Sequence, residues 1–190
     1  WERGRARAAL AVMLDAYASY LRALAQPEQR NAHRDARTAA RTARTNAQAS
    51  LDRMRSEPAT PPHLLELASA LFANGNRLAR TAMTMEALHD DHEHLPGQAQ
   101  LSAFVAQAGA TLHEIAAALR EQRAIGPCPD LRALQRDLAI LLQGTGDRET
   151  VRSVERICDR LTDNVNTLGH VVGRAPLDQA DIPGRAVIHR

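Results

Sequence analysis

Apolar side chains recur along this chain at alternating steps of three and four residues, the spacing that gathers them on one stripe of an α-helix. Leu10, Leu14, Tyr17, Leu21 and Leu24 trace the first seam, of the heptad kind, and predict a helix from about Arg3 to Ala25. Pro27 stands at a helix start, where its missing N–H costs little, and a second helix is expected from about Glu28 to Ser56. The inner stripe of that second helix is Ala36, Ala40, Ala43, Ala47 and Met54, small residues that let a neighbouring helix come close. Beside it, rotated by about 100°, lies a stripe of Arg34, Arg37, Arg41 and Arg44.

Pro58, Pro61 and Pro62 break the pattern, and a third helix from about Pro62 to Leu88 carries Leu64, Ala68, Leu71, Gly75, Leu78, Ala82 and Met85. A polar turn, His89 to Gly97, leads into a fourth helix from about Gln98 to Arg123, with Leu101, Phe104, Ala108, Leu112, Ile115 and Leu119 inside. After Gly126, Pro127 and Pro129, Asp130 is placed to cap a short fifth helix ending near Gln143. Gly144 to Asp147 reads as a turn. The sixth helix, about Arg148 to Val172, repeats Val151, Val154, Cys158, Leu161, Val165, Leu168 and Val172. The expected fold is therefore all-α: an elongated antiparallel bundle of about six helices, four of them long, forming one domain over residues 1–172. Pro176, Pro183 and Gly184 predict an irregular or disordered tail over residues 173–190. No strand pattern and no repeat of fixed period is present, which argues against a solenoid.

Composition agrees with this pattern. Of 190 residues 36 are alanine, 24 arginine and 23 leucine, none is lysine, and Phe, Trp and Tyr together number 5. A core built from Leu, Ala, Val and Met is built from helix formers for the most part. Cys128 and Cys158 are too few for a disulfide framework and lack C-x-x-C spacing, as suits a reducing compartment. No apolar run approaches about 18 residues, and no signal peptide is visible. Charge is uneven: residues 1–60 hold 11 Arg against 6 acids, and residues 61–190 hold 13 Arg against 16 acids. The net +2 conceals a basic first third.

The chain opens at Trp1 without an initiator Met, which predicts a piece of something longer. Trp1 followed by Arg3, Arg5 and Arg7 reads as the cytoplasmic flank of a transmembrane helix, because Trp favours the lipid–water interface and clustered Arg marks the cytoplasmic side. A terminal Trp covering the end of the bundle is the equally simple alternative. Trp1-Glu2-Arg3 leading into Tyr17-Ala18-Ser19-Tyr20-Leu21, and above all the run from Arg37 to Met54 (RTAARTARTNAQASLDRM) followed by Glu57-Pro58, resembles the region after the second transmembrane block of fusaric-acid-resistance-like (FUSC) proteins. These are bacterial inner-membrane proteins grouped with aromatic-acid exporters. The likeness is close over residues 1–60, continues through the third helix and is generic from about residue 90. It implies a helical domain on the cytoplasmic side of a transporter-like membrane protein and transfers no catalytic residue.

Candidate chemistry is sparse. His89-Asp90-Asp91-His92-Glu93-His94 is the densest ligand cluster, and His89 with His92, or His89 with Glu93, has the spacing to hold Zn²⁺ or Ni²⁺ on one helical face. A solvated helix end and turn is the ordinary reading. Glu86-x-x-His89 matches half of a di-iron bundle signature, but no second copy exists. The arginine stripe is expected first to pair with acids of later helices, such as Glu114, Asp159 or Asp163, or to face solvent. Contact with anionic lipid headgroups ranks second. Nucleic acid is not expected, since no compact helix-turn-helix and no aromatic platform accompanies the charges. Asn46 and Ser50 read as packing residues on or beside the Ala seam, Cys158 as a buried small hydrophobe and Cys128 as an exposed thiol with nothing to activate it. No phosphate loop, G-x-S-x-G or H-E-x-x-H occurs. The expectation is a non-enzymatic domain without catalytic, metal or cofactor residues, serving packing, oligomerisation or regulation of the membrane part of the same polypeptide, with a homo-oligomer as the expected assembly. The competing expectation is a free-standing soluble bundle that binds a ligand or a metal.

Overall fold

The seams close on one another in a computed structural model that describes the backbone of residues 2–58 and 60–174 and the side chains from Gly4 onward. Trp1 and the tail residues 175–190 lie outside the described residues. Six helices form among them: α1 (Glu2–Leu24), α2 (Arg30–Ser56), α3 (Pro62–Asp91), α4 (Gln98–Glu121), α5 (Leu131–Leu142) and α6 (Arg148–Gly173). The described residues include no strand. Five of the six helices are long rather than the four expected, spanning roughly 35–45 Å at 1.5 Å per residue, and the 12-residue α5 spans about 18 Å.

Consecutive helices run antiparallel. Tyr20 of α1 meets Glu86 of α3, and Gly75 of α3 lies beside Met13 and Tyr17, so α1 and α3 run the same way, with α2 between them in the opposite sense. α1 packs against α2, α3 and α4; α6 rests on α3 and α4; α5 leans on α4 and α6. The central position of α1 shows in its burial. Besides the expected seam, Ala6, Ala11, Met13, Ala18 and Tyr20 are also closed off from solvent, so α1 buries more than one stripe.

Two close approaches set its distance to its neighbours. A Cβ on Gly109 of α4 would lie 3.2 Å from the Ala18 carbonyl oxygen, and one on Gly75 would lie 2.7 Å from the Met13 methyl. Glycine at these positions lets α4 and α3 pack nearly backbone to side chain on α1. The alanine stripe of α2 does the same work from the other side: Ala40, Ala43 and Ala47 are buried, and the stripe is occupied within the chain by α1.

Several boundaries differ from those expected. α2 begins at Arg30 rather than Glu28, and Pro27 sits in a turn instead of at a helix start. The Gln29 N–H bonds to the Gln26 carbonyl, and the His33 ring lies 3.0 Å from that same carbonyl, so the turn is held by a side chain six residues beyond Pro27. α3 continues to Asp91 rather than ending at Leu88. No proline intervenes before Pro96, and burial of His89 rewards the extra turn. His92 closes it with Nδ1 at 3.0 Å from the Leu88 carbonyl. α5 and α6 start as their caps dictate: Asp130 accepts from the N–H of Arg132 and Ala133, and Asp147 accepts from the N–H of Glu149 and Thr150.

Candidate functional site

Charge and apolar wall come together in a cleft between α1, α2 and α3. The α2 arginines point along its rim because they sit one residue off the alanine stripe that packs on α1. Arg37, Arg41 and Arg44 therefore face the gap toward α3, where Asn76, Ala79, Arg80 and Met83 complete the lining, and Tyr17 and Tyr20 of α1 form the floor. The cleft has a volume of about 260 Å³.

At one end the buried Glu86 carboxylate accepts from the Tyr20 hydroxyl at 2.5 Å and from Arg37 at 3.1 Å. Glu86 is 6% exposed, so its charge is stabilised by these two donors more than by water. Burial, and then the hydrogen bond to Glu86, push the Tyr20 phenol far above its ordinary range, so it remains a donor throughout the physiological range. At the other end Arg44 donates to Asn76 at 2.7 Å and lies 5.9 Å over the Phe72 ring. Between the two, the Tyr17 hydroxyl is buried and has no hydrogen-bond partner among the described residues. Burial raises its pKa to about 12, opposed by the nearby Arg44 charge.

The expected partners of the arginine stripe are corrected by this arrangement. Glu114 pairs with Arg123, whose guanidinium and the Gly126 N–H hold that carboxyl down at about 2, while Asp159 and Asp163 both take Arg132 of α5. α2 lies on the α1 and α3 side, away from α5 and α6, so its arginines meet α3 instead: Arg37 reaches Glu86 and Arg30 reaches Asp90 at 3.2 Å. Ser50 is buried and accepts from Arg53 at 2.9 Å, whereas Asn46 is exposed, off the alanine seam.

The histidine run is divided by the extra turn of α3. His89 points inward and is 7% exposed, while His92 lies across the helix end with Nε2 at 3.2 Å from the Thr150 hydroxyl. Glu86 turns toward Tyr20 and Arg37, so the half-signature Glu86-x-x-His89 is not a joint ligand pair. Among the described residues no three His, Cys, Asp or Glu side chains gather as a metal-holding group. Cys158 is buried, its thiol pushed up to about 12 by burial, and Cys128 is exposed, with partial burial and Glu114 raising its thiol rather than activating it.

Burial and the neighbouring His33 lower the His89 pKa below 6.5, against weaker opposing effects of the Met85 backbone and Asp90. The unfolded chain binds a proton near 6.5 that the folded chain refuses, so stability present above that pH is lost as the pH falls through it, at no more than about 1.4 kcal/mol per pH unit. Urea unfolding across this window is expected to show the decline in the native chain and a flatter profile in His89→Gln. Equal slopes in the two would assign the effect elsewhere.

Tyr17, Tyr20 and Arg80 carry the cleft, and no chemical motif marks them; the sequence signals are that Tyr17 is a seam residue of α1 and that Tyr20, three residues on, stands beside that seam. Scans against protein-family models, curated proteins and solved structures return no match to this chain.

Proposed function

We propose that this bundle is the cytoplasmic helical domain of a FUSC-like inner-membrane transport protein, acting without catalytic residues to pack, assemble or regulate the membrane part. The resemblance of the Arg37 to Met54 run and the Trp1 to Arg7 flank motivates the reading. The observation that carries it is the place of α1. The helix whose first turns carry the arginine flank is also the one enclosed by α2, α3 and α4, so a displacement at its start is transmitted to the core rather than absorbed by a loose linker.

α2 and α4 run antiparallel to α1, so the bundle end at which α1 begins gathers Arg5 and Arg7, Arg53 and Arg55 of α2, and Arg120 and Arg123 around the end of α4, where Arg55, Arg120 and Arg123 pair with Asp52, Asp15, Glu114 and Glu121. No described helix is itself long and apolar enough to cross a membrane. The test is the DNA upstream of the Trp1 codon. Read in frame, it is expected to encode apolar runs of about 18 residues or more. A start codon close to Trp1, with no such run before it, overturns the proposal.

A further inference from the structure

We propose that the α1–α2–α3 cleft binds a phosphate group, carried either by a small free ligand or by a lipid headgroup. Three independent features of the cleft point to that chemistry, and none depends on the membrane-domain reading.

The first is charge. Four guanidinium groups, Arg37, Arg41, Arg44 and Arg80, line the cleft, and no carboxylate of the described residues does; Glu86 and Asp90 lie in the adjoining pocket, where Arg37 and Tyr20 satisfy Glu86 and Arg30 pairs with Asp90. Arg41 and Arg80 make no ion pair among the described residues. Arginine's planar fork matches phosphate oxygens two at a time, and an excess of cations favours a dianionic phosphate over a singly charged carboxylate.

The second is the Tyr17 hydroxyl. Tyr17 is 2% exposed, lines the cleft and leaves its O–H without an acceptor among the described residues. A buried donor without a partner is uncommon, and its desolvation is offset once a ligand oxygen accepts from it. Its raised pKa keeps the proton on the oxygen, as a donor to an anion requires.

The third is size and lining. About 260 Å³ admits a phosphate with a small organic remainder and falls below the usual range of roughly 300–1,000 Å³ for drug-sized ligands. Ala40, Ala79 and Met83 give that remainder an apolar wall, with Met83 half exposed at the mouth.

The experiment titrates inorganic phosphate into the chain at neutral pH, with ionic strength held constant by NaCl, and follows the thermal midpoint. In parallel, the chain is sedimented with phosphatidylcholine vesicles with and without phosphatidic acid. Binding is expected to saturate, to weaken about tenfold in Arg41→Gln/Arg80→Gln, whose side chains are exposed and not needed for folding, and to weaken several-fold in Tyr17→Phe, which removes the hydroxyl alone. Circular dichroism of each variant verifies its helical content. Saturation by free phosphate identifies a soluble ligand, and retention on phosphatidic acid vesicles alone, lost in the same variants, identifies a headgroup; both uphold the site. No response to either probe, or a response that Tyr17→Phe and Arg41→Gln/Arg80→Gln leave unchanged, overturns it.

Discussion

Replacing Leu14 by alanine is expected to lower the unfolding free energy by about 3–4 kcal/mol, within the range for a fully buried leucine. Leu14 has no solvent exposure and sits where α1 is enclosed by α2, α3 and α4. Its surroundings have little room to collapse into the space. Gly75 already brings the α3 backbone close enough that a Cβ there would be 3.6 Å from a Leu14 methyl, and the Gly109 contact fixes α4 against the same helix. For a chain of this length that loss corresponds to a fall in Tm of roughly 6–16 °C. Leu141→Ala is the control: Leu141 is 55% exposed, and its truncation is expected to change stability by about 0.5 kcal/mol or less. Thermal and urea unfolding of the two variants separates them. A Leu14→Ala loss below about 1 kcal/mol would mean that α1 is not the enclosed centre of the bundle.

The second large effect is expected at Glu86. In Glu86→Leu the Tyr20 hydroxyl loses its acceptor at a position 2% exposed, at a cost of about 2–3 kcal/mol. The Arg37 pair contributes little to that figure, because the Arg37 side chain is 41% exposed and solvent screens it. Adding Tyr20→Phe to Glu86→Leu removes the orphaned donor and is expected to restore most of the loss, since replacing both partners with apolar groups of similar shape is close to neutral. The double-mutant cycle should therefore show coupling on the order of 1–2 kcal/mol. Additive losses in the two single variants would show that Tyr20 and Glu86 do not share a hydrogen bond in solution.

How far each of these residues is legible from sequence differs with the kind of information it needs. Leu14 is a seam residue by its spacing to Leu10, Tyr17 and Leu21, and the structure buries all four. The other seams behave alike, save that Ala36, Leu64 and Val151 at the margins are only partly covered. Asp130 is legible as a cap because the cap is local, an Asp oxygen taking the N–H groups two and three residues on. The limits of α2 and α3 are less so, because a histidine ring against the Gln26 carbonyl and the burial of His89 decide them.

Glu86 illustrates the opposite case. By sequence it belongs to an apolar helix and to half of a metal signature; in the fold it is the acceptor for Tyr20, 66 residues earlier, and for Arg37, 49 residues earlier. The arginine stripe is equally plain as a stripe and equally mute about its partners. Its pairing depends on which helices flank α2, and several acids of α4 and α6 had the same claim on it until α3 took the place beside it.

By itself, then, the order of residues determined six helices, their buried faces and most of their ends, because hydrogen bonds within a helix and the three-four spacing of its apolar residues are local properties. Only the tertiary structure decided that α1 is central, that the alanine stripe is covered by α1, and that four arginines and a tyrosine hydroxyl with no partner among the described residues share one cleft. Those facts depend on the neighbour and rotation each helix adopts. Burial selects among such arrangements by the summed fit of all six helices, which no single stretch of the chain contains.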